Sequence, residues 1–155
     1  MSFINKVTTL TEYITIKFFY VMFFAVIINI FLRYVLNINY IFMQELVMYM
    51  HALIFLFGIS LCIKDDSHVR IDIFSSKLNK SARKLIDNIG IIFFIVPFCF
   101  FIFYESTSMI TRSWSMLEES SEPGGLPLVY VLKSSIYIFS LLIFLQAVNK
   151  LLGSK

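Results

Sequence analysis

The sequence predicts an all-α membrane protein: four transmembrane helices with short interfacial amphipathic helices, and both termini on the cytoplasmic side. Three observations predict it. Of 155 residues, 59% are hydrophobic and only 15% charged, with a mean hydropathy of +0.83. A soluble domain runs nearer about a quarter charged. Phe alone occurs 18 times, more than one small soluble core buries. The apolar residues also fall into runs near the length of about 20 residues that a spanning helix needs. These facts exclude an ordinary soluble enzyme, a disordered chain and a nucleic-acid binder. They leave no room for a separate water-soluble domain.

Residues 1–16 carry Phe3, Val7, Leu10 and Ile14 at helical spacing, with Asn5, Lys6, Thr9 and Glu12 elsewhere on the wheel. That pattern predicts an amphipathic lead-in, lying on the membrane surface or continuing into the first span. The first span covers about 17–36, with Lys17 and Arg33 snorkelling to the two interfaces. Asn37-Ile38-Asn39 is the turn of a tight helical hairpin. The second span runs over about 41–63, with Glu45 near its start and Lys64 closing it. His51, Gly58 and Cys62 share one of its faces, a pattern that predicts close helix packing.

The stretch 64–81 is a polar connection containing an amphipathic helix, in which Ile71, Phe74, Leu78 and Ala82 recur at helical spacing. Ser81 is the predicted N-cap of the next helix. The third span covers about 82–110, and Pro97 in its middle removes a backbone hydrogen bond and should kink it. Glu105, beside Ser106, Thr107 and Ser108, reads as interfacial. Residues 111–127 form an acidic, turn-rich outer loop, and the fourth span covers about 128–152, with Lys133 snorkelling outward. Gln146 and Asn149 are expected to pair with Asn88 or Asp87 near the inner interface.

Cation placement sets orientation. With four spans, ten of the 13 Lys and Arg residues fall on the side of the termini and the 64–81 connection. Arg33, Arg112 and Lys133 fall on the other. Both termini are therefore expected inside, with the Glu118/Glu119/Glu122 loop outside. The hairpin then brings Arg33 and Glu45 to the same outer interface, where they are predicted to interact or to contact a partner protein jointly.

Catalytic patterns are missing. The sequence has no HExxH, GxSxG, P-loop or Gly-rich dinucleotide turn. Cys62 and Cys99 form no CxxC and read as small buried apolar residues. His51 and His68 lie too far apart in depth for a haem. No catalytic residue, cofactor or metal is expected. Nor are there paired broken helices, the usual mark of a transporter's midplane site.

Several motifs, taken in order, carry a family resemblance. Arg33-Tyr34-Val35-Leu36-Asn37 is followed by Phe42-Met43-Gln44-Glu45-Leu46, then Gly58, then His68-Val69-Arg70-Ile71-Asp72, then Pro123-Gly124-Gly125-Leu126-Pro127. In this arrangement the chain resembles the small integral-membrane subunit (the Q-type, DctQ-like component) of tripartite ATP-independent periplasmic (TRAP) transporters. Phe42 stands where that family usually has Trp. Gln44 replaces the first of two acids, leaving Glu45 as the single carboxylate. The resemblance implies a bacterial inner-membrane protein that braces a large multi-span permease subunit during sodium-coupled uptake. A periplasmic substrate-binding protein would deliver an organic acid such as a dicarboxylate or sialic acid, and is a further partner. It implies interface or structural roles for Arg33, Glu45, Gly58, His68, Asp72, Pro123, Gly124, Gly125 and Pro127.

There are two rivals. A stand-alone four-helix exporter would need a membrane-embedded acid in the first span, which here has Asn29 and Arg33. A structural subunit of another membrane complex is not excluded by composition alone.

Overall fold

Hydrocarbon offers the backbone no hydrogen-bond partners, so a spanning chain must satisfy its own. The computed structural model, which describes residues 2–64 and 79–153, does this with helices and, among those residues, no strands. The elements are α1 (Ser2–Tyr34), α2 (Ile41–Lys64), α3 (Lys80–Gly90), a π-helical segment (Ile91–Ile95), α4 (Val96–Ser115) and α5 (Val129–Gly153). Four helical stretches are long and apolar enough to cross a membrane: Ile4–Tyr34, Ile41–Cys62, Lys84–Ser115 and Val129–Leu152.

The lead-in continues into α1 without a break. Its hydroxyls fold back on the helix, with Thr8, Thr11 and Thr15 donating to the carbonyls of Ile4, Val7 and Thr11 at 2.8, 2.9 and 2.7 Å. The hairpin turn places Asn37 at φ 54°, a left-handed conformation that Asn tolerates better than most residues. Asn39 Oδ1 then accepts from Gln44 Nε2 at 2.6 Å. The amphipathic helix expected within 64–81 falls mostly outside the described residues. The next helix is capped by Asn79, whose side chain accepts from the Ala82 amide at 2.8 Å. Ser81, the predicted cap, lies inside the first turn because the helix begins earlier, at Lys80.

Pro97 meets the predicted disturbance in a specific form. The segment Ile91–Ile95, one turn ahead of it, is wound as a π-helix, and the Val96 amide bonds the Ile91 carbonyl. A one-residue register shift of this kind commonly accommodates a break in the α ladder.

α5 is the keel. Of the residues in its most apolar stretch, 39% are buried, against 6% in α1, 17% in α2 and 11% in the α3–α4 arm. Its buried positions are Ser135, Phe139, Ser140, Leu142, Ile143, Gln146 and Ala147, a stripe at three- and four-residue spacing. Small side chains in that stripe let neighbours approach closely. α1 packs on α2, α2 on α5, and α5 on α4, while α1 touches α5 only slightly. The helices therefore form an open row and leave α1 and α4 as its flanks. Cys99, Phe139 and Ile143 make the central cluster, with Leu56 and Ile59 of α2 against it. Ser140 Oγ donates to the Cys99 carbonyl at 2.8 Å across the α4–α5 contact.

A second polar contact ties α5 to α1. Gln146 was expected beside Asn88 or Asp87, but its Nε2 donates to Thr8 Oγ1 at 2.7 Å. The Thr8 hydroxyl hydrogen is already committed to the Ile4 carbonyl, so its oxygen must accept and the amide orientation follows. Gln146 Oε1 is buried and has no partner. Thr8→Val leaves both ends of this amide unpaired and should cost about 1 kcal/mol or more. Gln146→Met removes the orphaned carbonyl with the bond and should cost less. Thermal unfolding in mild detergent checks this, and equal losses would contradict it.

Candidate functional site

Glu45 and the Pro123–Pro127 stretch, both singled out in the sequence, meet on the side of the bundle where the α1–α2 turn and the α4–α5 loop lie. The loop starts with a tight stop. Leu117 adopts φ 45°, its amide bonds the Trp114 carbonyl at 3.2 Å, and the Glu118 amide bonds the Ser113 carbonyl at 3.0 Å. These two bonds are those of a Schellman motif, which turns the chain back over its own helix. The turn brings Glu118 above α4, where its Oε2 accepts from Ser113 Oγ at 2.6 Å and from Lys133 Nζ of α5. Lys133, expected to snorkel alone, is thus one half of an ion pair that straps the loop to α5. Its hydrogen bond first, then that of Ser113, holds the Glu118 carboxyl below the usual carboxylate range.

A second turn follows. The Gly125 amide bonds the Glu122 carbonyl at 3.0 Å, with Pro123 and Gly124 between them and Gly124 at φ 79°. Pro then Gly with positive φ at the two central positions is the signature of a type II turn. Pro123 supplies its fixed φ and Gly124 its left-handed residue.

This turn delivers the chain to Glu45. The carboxylate of Glu45, at the start of α2, accepts from Ser120 Oγ at one oxygen and from the Leu126 amide at the other, the latter at 2.6 Å. The Ser120 oxygen accepts in turn from the Glu122 amide at 3.1 Å. Gly125 lies in the middle of this clasp. A Cβ there would lie 2.7 Å from Glu45 Oε2 and would also strike Ser120. The position therefore admits only glycine without rearrangement. Pro127 follows at once and precedes α5.

The other expected residues lie elsewhere. Arg33 is exposed, and its guanidinium lies 5.9 Å from the centroid of the Tyr34 ring. Among the described residues no ion pair joins it to Glu45, because the carboxylate is engaged by the loop. Gly58 has nothing within 4 Å of where a Cβ would stand, and His51 is exposed. On the α2 face predicted to pack closely, His51 is therefore bare within this chain, while Gly58 and Cys62 are half-buried. His68 and Asp72 lie outside the described residues. The sequence assigned no role to Ser113 or Ser120 and no pairing to Glu118 or Lys133, because these contacts join positions up to 75 residues apart.

No cluster of His, Cys, Asp and Glu suited to a metal ion occurs among the described residues. An open apolar crevice of about 490 Å³ lies between α1 and α2, lined by Tyr20, Phe24, Ala25, Met43 and Leu46 among others. The clasp is built to hold a loop in one conformation: each oxygen of its carboxylate accepts from a neutral donor.

Fold and loop together define a multi-pass membrane protein with an ordered loop at one end of a four-helix row. Residues 22–154 match the family described as tripartite ATP-independent periplasmic transporters, DctQ component, and the chain belongs to that family. It is the small membrane component of a transporter that also uses a large permease and a binding protein. No curated protein sequence matches it.

Two measurements test the clasp. Glu45→Ala and Gly125→Ala should each raise the labelling rate of a cysteine placed at Ser121, by about tenfold if about 1.4 kcal/mol of charge-assisted bonding is lost. Unchanged labelling in both would mean that the loop is held by other means. The Glu118–Lys133 strap gives a pH signature. Because the carboxyl is depressed in the folded state, the strap's contribution is complete above the unfolded value near 4.5 and fades as pH falls through the lower folded value. Fluorescence of Trp114, the only tryptophan, should stay flat from about pH 8 to about pH 5 and change only as pH falls below the ordinary carboxylate range. Lys133→Met should move that change to higher pH.

Proposed function

We propose that the chain braces the large permease subunit of its transporter at the cytoplasmic membrane, with both termini inside and the clasped loop facing the periplasm. Transport on this reading is sodium-coupled and dependent on a binding protein, and carries an organic acid such as a dicarboxylate or sialic acid. The substrate and sodium sites belong to the large subunit. The observation that carries the bracing role is the open row of helices. Only 6% of the residues in the most apolar stretch of α1 are buried, and 11% of those in the α3–α4 arm. Together with the family match, such flanks suit a subunit completed by a larger neighbour.

The Glu118–Pro127 loop supports a second part of the reading. It is held at both ends, by Lys133 and by Glu45, and presents Glu119 and Glu122 to solvent. A preorganised acidic loop on the periplasmic side suits docking of the binding protein. Arg33, on the same side and exposed, is available to the same partners. His68 and Asp72 are assigned to the cytoplasmic connection.

Purification of the tagged chain in mild detergent should bring down a large multi-span permease, and the chain alone in liposomes should move no solute. Solute uptake by the isolated chain would overturn the bracing role. A cysteine at Glu119 that reacts only with reagents added from the cytoplasmic side would overturn the orientation.

A further inference from the structure

Glu105 does not fit an interfacial position. Trp114 packs edge-on against Tyr130 with ring centroids 4.8 Å apart, and its Nε1 donates to Ser134 Oγ at 2.7 Å. Such an amphipathic aromatic pair marks the membrane–water boundary. Glu105 lies nine residues further into the span, about 13 Å at 1.5 Å per residue. The hydrocarbon core is about 30 Å thick, so this depth is close to its middle. The helix register fits this depth, because Phe103, two residues further in, stacks on Tyr137, eight residues into α5, with centroids 4.6 Å apart. Snorkelling to the loop side is disfavoured, since side chains on a helix tilt toward its N-terminus. For α4 that direction leads away from the loop.

Glu105 is exposed, and among the described residues it has no hydrogen bond or ion pair. The buried face of α4 is formed by Cys99, Ser106, Ile110 and Ser113. Glu105 lies off that face, on a stripe that runs Phe98, Phe101, Glu105, Ser108, Arg112 at alternating three- and four-residue steps. Every member of the stripe is exposed. This is the spacing with which one helix seats against another. Acyl chains cannot satisfy a carboxylate, and lipid headgroups are about 13 Å away along the helix.

Building on the bracing role, we propose that this α4 stripe is the seam against a membrane helix of the large permease subunit, and that this helix presents a cationic side chain, Lys or Arg, to Glu105. The apolar Phe98 and Phe101 pack on the partner below that ion pair. Arg112, two turns above Glu105, lies at the headgroup level, where an acidic group of the partner or a lipid phosphate meets it. The occupant at the depth of Glu105 is protein, because only protein supplies a donor there.

The test uses the chain co-expressed with its permease in membranes. Benzoylphenylalanine at Phe101 or Ser108 should crosslink to the permease on illumination. Glu105→Lys should lower the amount of co-purified permease about tenfold or more, the effect of a like-charge contact at depth. Glu105→Asp should retain it. Thermal stability of the purified Glu105→Lys chain alone should match that of the parent, separating lost docking from lost folding. Crosslinks to lipid alone, or undiminished co-purification of the Glu105→Lys chain, would overturn the seam while leaving the bracing role intact. Failure of the parent chain to co-purify with any permease would remove both.

Discussion

A membrane protein of this size depends on how its helices hold together where the hydrophobic effect no longer drives them together, since lipid tails are as apolar as Leu. Here the answer is the buried stripe of α5. Ser135, Ser140 and Ala147 allow close approach, Phe139 and Ile143 fill the centre, and Ser140 and Gln146 each reach across to a neighbouring helix. Without that stripe α2 and α4 share no common support, and the row has no order. The choice of one central helix also explains why the flanks stay bare: a single keel is contacted well by two neighbours, and α1 is secured chiefly through α2.

The loop-side end depends on the same geometry. Because α2 and α5 pack side by side, Glu45 at the start of α2 is brought up to the residues that lead into α5. The carboxylate can then take Ser120 and Leu126 at once. The strap from Glu118 to Lys133 fixes the other end of the loop to the same helix. Gly125 is constrained by proximity and Gly124 by backbone angle, two different reasons for adjacent glycines.

Much of this architecture was legible in the residues. Four apolar runs, the Asn37 turn, the disturbance near Pro97 and the turn chemistry of Pro123-Gly124 are local properties, encoded by composition, spacing or intrinsic φ preference. What could not be read were pairings that depend on which helix neighbours which. Glu45 looked toward Arg33, its nearest cation across the hairpin, yet it bonds a loop that arrives only because α5 lies against α2. Lys133 looked like a snorkelling cation because nothing local announces that Glu118 will be folded back by a left-handed Leu117. Gln146 reached Thr8, a residue at the far end of the sequence, for the same reason. Ser81 lost the capping role to Asn79 over a shift of two residues in where the helix starts, a precision that propensity does not reach.

The polar groups left over then carry information that the satisfied ones do not. Asn29 Oδ1 and Gln146 Oε1 are buried without partners among the described residues, but both are neutral amide oxygens. Glu105 is different in kind, since it is ionisable, exposed and near mid-membrane. Apolar surface on α1 and α4 is compatible with lipid and with protein alike, so exposure of Phe and Ile on those helices does not by itself distinguish the two. A carboxylate at that depth does distinguish them, because it is tolerated cheaply only where a protein donor faces it. In a chain whose helices are otherwise content in lipid, the direction of the next subunit is therefore written by its rare charges, and on α4 those charges lie along one stripe.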